Sequence, residues 1–295
     1  MNGNLLSRVY ERLDLDVTPR SDEEGLHHLY EGWCNSVPFD NVLKMIALRR
    51  GLALPGQKAS EFFGCWLSSG SGGTCWAGAI AFRELLVASG FTARFAAGSM
   101  YDMGLVNHGT VVVSLGRSEW LADSSLISPV PLRLGGRAYR YSNGVSTVEL
   151  EPDRGGHLLW MNPLHQTGFL NCRIHRGGIG RDEVLAYYEA TRHKSAFNQR
   201  LYARRNYRNR VILLRGNLRF EQTQAGMTVQ ELTENDLRES LHADLGFSEE
   251  LVENWTKCGA LADSMKPANG PAPPPVRGVP PSLRAPSGDN GSYTC

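Results

Sequence analysis

Three residues in this chain have the types and spacing of a nucleophile, a base and an orienting acid. Cys75 follows two glycines and a threonine in "SGGTCWAGAIAFRELLVASGF" (71–91). From Cys75 onward the apolar residues recur at helical spacing, with Cys75, Ala79, Phe82 and Leu86 on one stripe and Gly90 as the stop. The thiolate, not the thiol, is the nucleophilic form, and a helix N-terminus or an adjacent imidazolium lowers a thiol pKa. Cys75 has the helix start from its position in the sequence. The glycines before it let backbone approach a substrate closely, and amide groups around Gly73 and Thr74 could hold an oxyanion.

The imidazolium and the acid come from "NHGTVVVSLGRSEWLADSS" (107–125), which reads as a β-hairpin turning around 115–118. Side chains alternate faces along a strand. With the turn centred between Leu115 and Gly116, or between Gly116 and Arg117, His108 and Asp123 share a face as opposite or diagonal neighbours, roughly 5–8 Å apart. A slip of one residue would separate them. An aspartate there holds the imidazole in one tautomer and stabilises its charge. Cys75, His108 and Asp123 then form a triad suited to acyl transfer through a thioester.

Each residue also has a plain structural role. The stripe that carries Cys75 suits a packed core thiol, His108 suits a strand start, and Asp123 suits an Asx turn before Ser124 and Ser125. The three together are more specific than any one alone. Phe39, Trp76 and Phe197 could line an acyl pocket, although aromatic residues are more often core.

The positioning elements follow from hydrophobic periodicity. The segment up to about Ala47 reads as mostly helical. Ser21 and Glu24 form a capping-box pattern ahead of the stripe Leu26, Leu29, Tyr30 and Trp33, and Pro38 ends it. After Gly90 the chain turns to short β-branched or aromatic runs at "FTARFAAGSMYD", "HGTVVVSLG", "SEWLADSSL", "HLLWMNPL" and "RVILLRGNLRFEQT". "DEVLAYYEATRH" reads as a helix between the last two, and "TVQELTENDLRESLHADL" as a closing helix capped by Thr228 and Glu231. This order predicts an α+β fold around a central antiparallel sheet or barrel. From Met265 the chain holds over half of its 15 prolines and no apolar period, which predicts an unfolded tail ending in a free Cys295.

The bulk composition excludes several classes. With 295 residues the chain can bury a sizeable core, and a net charge of +1 gives no general attraction to nucleic acid or anionic membrane. No apolar run approaches the roughly 20 residues of a membrane span, and the polar start does not resemble a secretory signal, so a cytoplasmic location is expected. The six cysteines lack CxxC or Cys/His metal spacing, which argues against a disulfide framework, a zinc site or any other metal centre. The stretch 192–210 is locally basic. It reads as a solvated face, with an acidic carrier protein or a CoA phosphate as the sharper alternative.

These motifs resemble the arylamine N-acetyltransferase superfamily over most of the folded chain. "VPFDNVLKM" (37–45), "SGGTCW", "LLVASGFTARF", "NHGTVVVS", "EWLADSSLISPVPLRL" and "SAFNQRLYARR" with "VILLRGNLRF" carry the likeness. The resemblance implies an N-terminal helical bundle (1–90) with the nucleophile, a β-barrel (91–175) with His108 and Asp123, an α/β lid (176–264) and the tail (265–295). It implies the Cys75, His108 and Asp123 triad and no bound cofactor. The usual acetylating enzymes carry Arg before Gly-Gly and Glu two residues after the cysteine, whereas this chain has Ser71 and Ala77. Their Val-Gly-Phe-Gly after the aspartate is replaced by residues 124–127. These departures are similar to a divergent natural-product branch, the Dieckmann cyclases of tetramate antibiotics. That likeness implies an acyl or peptidyl carrier protein as partner and a phosphopantetheine thioester as donor. Ordinary N-acyl transfer from acyl-CoA, macrolactam formation and a non-catalytic binding role are the alternatives.

Overall fold

The computed structural model describes residues 1–15, 18–126, 128–166, 168–267 and 274–284. Five helices occupy the first part: α1 (Gly3–Arg12), α2 (Glu23–Ser36), α3 (Val42–Arg50), α4 (Ala59–Ser69) and α5 (Cys75–Ala88), with a two-residue strand β1 (Phe39–Asp40) before α3. The stripe Leu26, Leu29, Tyr30 and Trp33 is buried against Phe62, Phe63 and Phe82. The cap of α2 differs from the sequence reading. Asp22, not Ser21, is the N-cap, and its carboxylate accepts from the Gly25 N–H at 2.9 Å. Asp and Ser cap about equally well, so the sequence alone leaves the two positions ambiguous.

An eight-stranded antiparallel sheet follows, in the order β5-β4-β3-β2-β9-β8-β7-β6. Its strands are β2 (Thr92–Met100), β3 (His108–Leu115), β4 (Ser118–Leu121), β5 (Leu132–Leu134), β6 (Tyr139–Ser142), β7 (Thr147–Asp153), β8 (Gly156–Met161) and β9 (Leu170–Ile179). β5 swings round to meet β7, which leaves the sheet a nearly closed barrel. β3 explains its own run of three valines. Val112 points into the barrel with Leu121 and Leu150, while Val111 and Val113 face the helices around α5. A strand buried on both faces needs apolar residues at both parities.

The C-terminal part holds α6 (Arg181–Ala190) and a second sheet, β1-β10-β11-β12-β13. Its later strands are β10 (Tyr202–Tyr207), β11 (Arg210–Arg215), β12 (Leu218–Thr223) and β13 (Gly226–Glu231). The helices α7 (Glu234–Ala243), α8 (Glu249–Lys257) and α9 (Ala260–Met265) cover this sheet. The α+β architecture is therefore the one read from the sequence.

Several boundaries are corrected. The division at 175/176 falls inside β9, because residues 178 and 179 still pair with Ala96 and Phe95 of β2. The 176–264 segment also reaches back into the N-terminal part. It takes β1 as its edge strand through Phe39↔Arg204 and shares a core with Val42, Met45 and Ile46 of α3. Thr228 and Glu231 belong to β13, and α7 is capped instead by Thr233 with Asp236. The predicted unfolded tail is partly placed. Ser282 donates its amide to Glu149 at 3.0 Å, the Arg284 guanidinium pairs with Glu151, and Gly278 lies against the Trp160 ring. The buried Glu149 and half-buried Glu151 of β7 give this proline-rich segment partners that composition does not reveal. Cys295 lies outside the described residues.

Candidate active site

The loop before Cys75 is held by β1. Gly73 bridges to Phe39, and the Asp40 amide donates to the Gly73 carbonyl at 3.2 Å. The Asp40 carboxylate accepts from the Ser71 hydroxyl at 2.8 Å, the Gly72 amide at 2.7 Å and the Val42 amide at 3.0 Å. A Cβ on Gly72 would stand 2.0 Å from the Pro38 carbonyl oxygen, so only glycine admits this contact. Asp40 is buried, and among the described residues no Lys, Arg or His forms a salt bridge with it. Burial pushes its carboxyl up to about 6, and the three hydrogen bonds restrain the rise. Ser71 and Ala77 are buried as well. Ser71 serves Asp40, and the Ala77 methyl packs beneath Gly73. Asp40 was not among the sequence candidates. The signal lay in "PFDN", an acid set in an apolar run.

Cys75 opens α5 behind Thr74, which sits at the N-cap and makes no side-chain cap bond. The positive end of the helix therefore lies at the thiol. β3 and β4 pair with Leu115↔Ser118 and Val112↔Leu121. Continued past β4, that register sets Asp123 opposite Thr110 and diagonal to His108. The His108 Nε2 and Asp123 Oδ2 atoms are 2.6 Å apart, which leaves Nδ1 for the hydrogen bond that His108 makes with Cys75. Asp123 is fully buried. Its Oδ1 accepts from the Ser125 amide at 2.8 Å, and its carbonyl accepts from the Tyr30 hydroxyl at 2.7 Å.

The electrostatics favour an ion pair. Burial pushes the Cys75 thiol up, but the hydrogen bond and charge of His108, with the Gly109 amide, bring it below its ordinary value. Burial alone would lower His108. The Asp123 charge overrides this and holds the imidazole well above its ordinary value. His108 in turn keeps Asp123 low against the effect of burial. The pair is thus biased toward a thiolate beside an imidazolium. Elsewhere burial dominates, and Cys34 and Cys172 are each pushed up to about 12.

The other sequence candidates separate into two groups. Gly73 and Thr74 adjoin the thiol. Phe39 and Phe197 meet edge-to-face at 5.3 Å, and both touch Tyr202, in an aromatic cluster joined to Gly73 through β1. Trp76, by contrast, is 1 % exposed and stacks on Tyr187 at 5.5 Å, with its other neighbour the backbone of Gly109. It packs α5 onto β3. Part of the basic stretch is also spent inside the protein. Arg204 is buried and donates to the carbonyls of Ser125 and Leu126, Arg205 donates to the Leu245 carbonyl, and Arg200 to that of Ser264. Arg204 is therefore no part of a solvated docking face.

Among the described residues no cluster of His, Cys, Asp and Glu could hold a metal ion, and no helix is long and apolar enough to cross a membrane. No family profile and no curated protein matches the chain. Solved structures do match. A variant of an arylamine N-acetyltransferase from Mycobacterium smegmatis superposes with a TM-score of 0.77 at 16 % identity, over 90 % of this chain and 100 % of that one. The Mycobacterium marinum enzyme in complex with CoA gives 0.77 at 15 %, over 88 % and 99 %. The Salmonella typhimurium enzyme gives 0.73 at 16 %, over 87 % and 99 %. The chain has the arylamine N-acetyltransferase fold. At these identities the likeness speaks for the fold alone. The role of the site rests on its own geometry.

Proposed function

We propose that this protein is a cysteine acyl-enzyme, which takes an acyl group from a thioester onto Cys75 and passes it to a second nucleophile. The observation that carries this reading is the buried chain Cys75–His108–Asp123, which lowers the one thiol while burial raises Cys34, Cys65 and Cys172. The thiolate attacks the thioester carbonyl. N–H groups at the start of α5 face the developing oxyanion. As the intermediate collapses, the imidazolium of His108 gives its proton to the departing thiol. The donor is acyl-CoA or a carrier-protein phosphopantetheine thioester, and the CoA held by the Mycobacterium marinum neighbour supports a pantetheine thiol as leaving group. An acyl or peptidyl carrier protein is the partner this implies.

The finer reading is release by Dieckmann condensation, in which a carbanion of the acyl chain attacks its own thioester and closes a tetramate-type ring. It is supported by the small buried Ser71 and Ala77, where the resemblance places an Arg and a Glu in acetylating enzymes. N-acyl transfer to an amine rests on the same triad and consumes a second substrate. Intact-mass spectrometry after mixing with an acyl thioester should show one adduct, lost in Cys75→Ala. A folded protein without any adduct would refute the acyl-enzyme reading. Product analysis without added amine separates ring closure from N-acylation.

A further inference from the structure

A closed circuit of contacts runs from the nucleophile loop through the C-terminal sheet and back to the imidazole. Asp123 heads an irregular segment that begins after β4 ends at Leu121, so strand pairing does not hold it. Side chains hold it instead, and each described carbonyl from Asp123 to Ser128 accepts from one. From α2, the Tyr30 hydroxyl donates to Asp123 at 2.7 Å, the Trp33 indole to Ser124 at 3.2 Å and the Cys34 thiol to Ser128 at 3.4 Å. From β10, Arg204 Nη2 donates to Ser125 and, at 3.2 Å, to Leu126, which also accepts from the Asn206 amide at 3.3 Å.

Ser125 is the junction. Its carbonyl takes the Arg204 guanidinium, and its amide donates to Asp123 Oδ1 at 2.8 Å, while Asp123 Oδ2 lies 2.6 Å from His108 Nε2. A tilt of Ser125 therefore re-aims the carboxylate. On its other side Arg204 pairs with Phe39 of β1, and its guanidinium carbon lies 5.5 Å from the centroid of that ring. Phe39 bridges to Gly73, two residues before Cys75. Arg204 is 8 % exposed, and among the described residues no carboxylate forms a salt bridge with it. A charged side chain is rarely buried unpaired. A methionine would fill much of this space without desolvating a charge, but it lacks a rigid fork of N–H donors at the end of a long arm.

We propose that Arg204 is a positioning residue, which aims Asp123 at His108 through Ser125 and ties that aim to the strand holding the nucleophile loop. The C-terminal sheet thereby sets the alignment of a site whose reacting groups lie elsewhere. This deepens the acyl-enzyme reading. Without the guanidinium Ser125 loses its anchor, Asp123 turns from the imidazole, and His108 supports the Cys75 thiolate less well. A group that acts through alignment lowers the rate at saturation more than it changes substrate affinity.

Arg205 supplies the control. It is next on the same strand and its guanidinium also donates to a carbonyl, that of Leu245 at 3.1 Å, but on the opposite face of the sheet. Arg204→Met and Arg205→Met are compared with wild type, well below their melting temperatures. Alkylation by iodoacetamide is read at Cys75 by peptide mass, and loading by single turnover with the butanoyl thioester of N-acetylcysteamine. Both variants should melt lower. Only Arg204→Met should slow alkylation at neutral pH, about tenfold, and loading at saturation, by about 10²-fold, with half-saturation changed less than threefold. Arg204→Lys, which keeps a cationic donor, should lie between Arg204→Met and wild type in both rates. Should Arg204→Met not fold, the shorter but polar Arg204→Gln carries the same expectation. Wild-type rates in a folded Arg204→Met or Arg204→Gln, or equal slowing in Arg204→Met and Arg205→Met, would overturn the assignment. Slowed alkylation in Arg204→Met beside a wild type that loads no thioester would keep the assignment and refute the acyl-enzyme reading.

Discussion

Gly109 is the position where packing and chemistry are most tightly joined, and Gly109→Ala tests that link. A Cβ built on Gly109 stands 2.3 Å from Cε3 of Trp76, against an ordinary contact of 3.4 Å or more. The methyl group and the ring must therefore separate by about 1 Å. Trp76 has nowhere to go, being 1 % exposed and stacked on Tyr187 at an interplanar angle of 19°. Strain of this kind costs about 1–3 kcal/mol in a packed core. The shift falls on both Cys75 and His108, because Trp76 follows the one and Gly109 follows the other. The Gly109 amide also donates to the Cys75 sulfur. A misplacement of about 1 Å at reacting groups costs roughly 10²-fold in rate. Single-turnover loading of Cys75 by a thioester should fall by that factor, with a melting temperature lowered by roughly 2–10 °C. Replacing Trp76 by Leu in the same chain should relieve the clash, so the double variant should be more stable than the two single effects sum to. Wild-type loading and melting in Gly109→Ala would refute the reasoning.

The remaining predictions concern charge and the tail. Alkylation of Cys75 by iodoacetamide should stay fast below the ordinary thiol range, because its pKa is lowered. In His108→Gln the midpoint should rise above that range, since burial remains and its counterweight is gone; an unmoved midpoint would contradict the ion pair. Asp40 has a folded value near 6 against an ordinary 3.8, so the folded state keeps a proton that the unfolded chain releases between those values. Its contribution to stability is fully present below about 3.8 and fades as pH rises through about 6. The stability of wild type relative to Asp40→Asn should thus drop by about 3 kcal/mol from pH 3.5 to 7.5 in denaturant titrations, and a pH-independent difference would sink the point. Truncation after Met265 removes the Ser282 bonds to Glu149, which is 1 % exposed, and uncovers Trp160. It should red-shift the tryptophan emission and lower the unfolding midpoint, and no change in either would refute docking of 274–284.

The residues that could do chemistry were legible because their signals are local. Cys75 announces a helix start through the glycines before it and the apolar stripe after it. His108 and Asp123 share a face because strand parity is fixed once the turn at Gly116 and Arg117 is placed. The Ser21 reading erred by one residue and the Thr228 reading by five. In the second case "TVQE" has the pattern of a capping box, but pairing with β12 outweighs local preference.

By itself, then, the sequence determined what periodicity and turn chemistry encode over a few residues: an α+β chain, a cysteine at a helix N-terminus, and a histidine and an aspartate on one face of a hairpin. The tertiary structure decided whatever depends on residues far apart in the chain. Asp40 braces Ser71 and Gly72 from 31 and 32 residues away. Lys44 meets Thr191 across 147 residues, and Ser282 meets Glu149 across 133. Such contacts leave no period in the sequence, and the charges they bury have their effect only where the fold removes water from them. That desolvation separates Cys75, lowered beside His108, from Cys34 and Cys172, which burial pushes up.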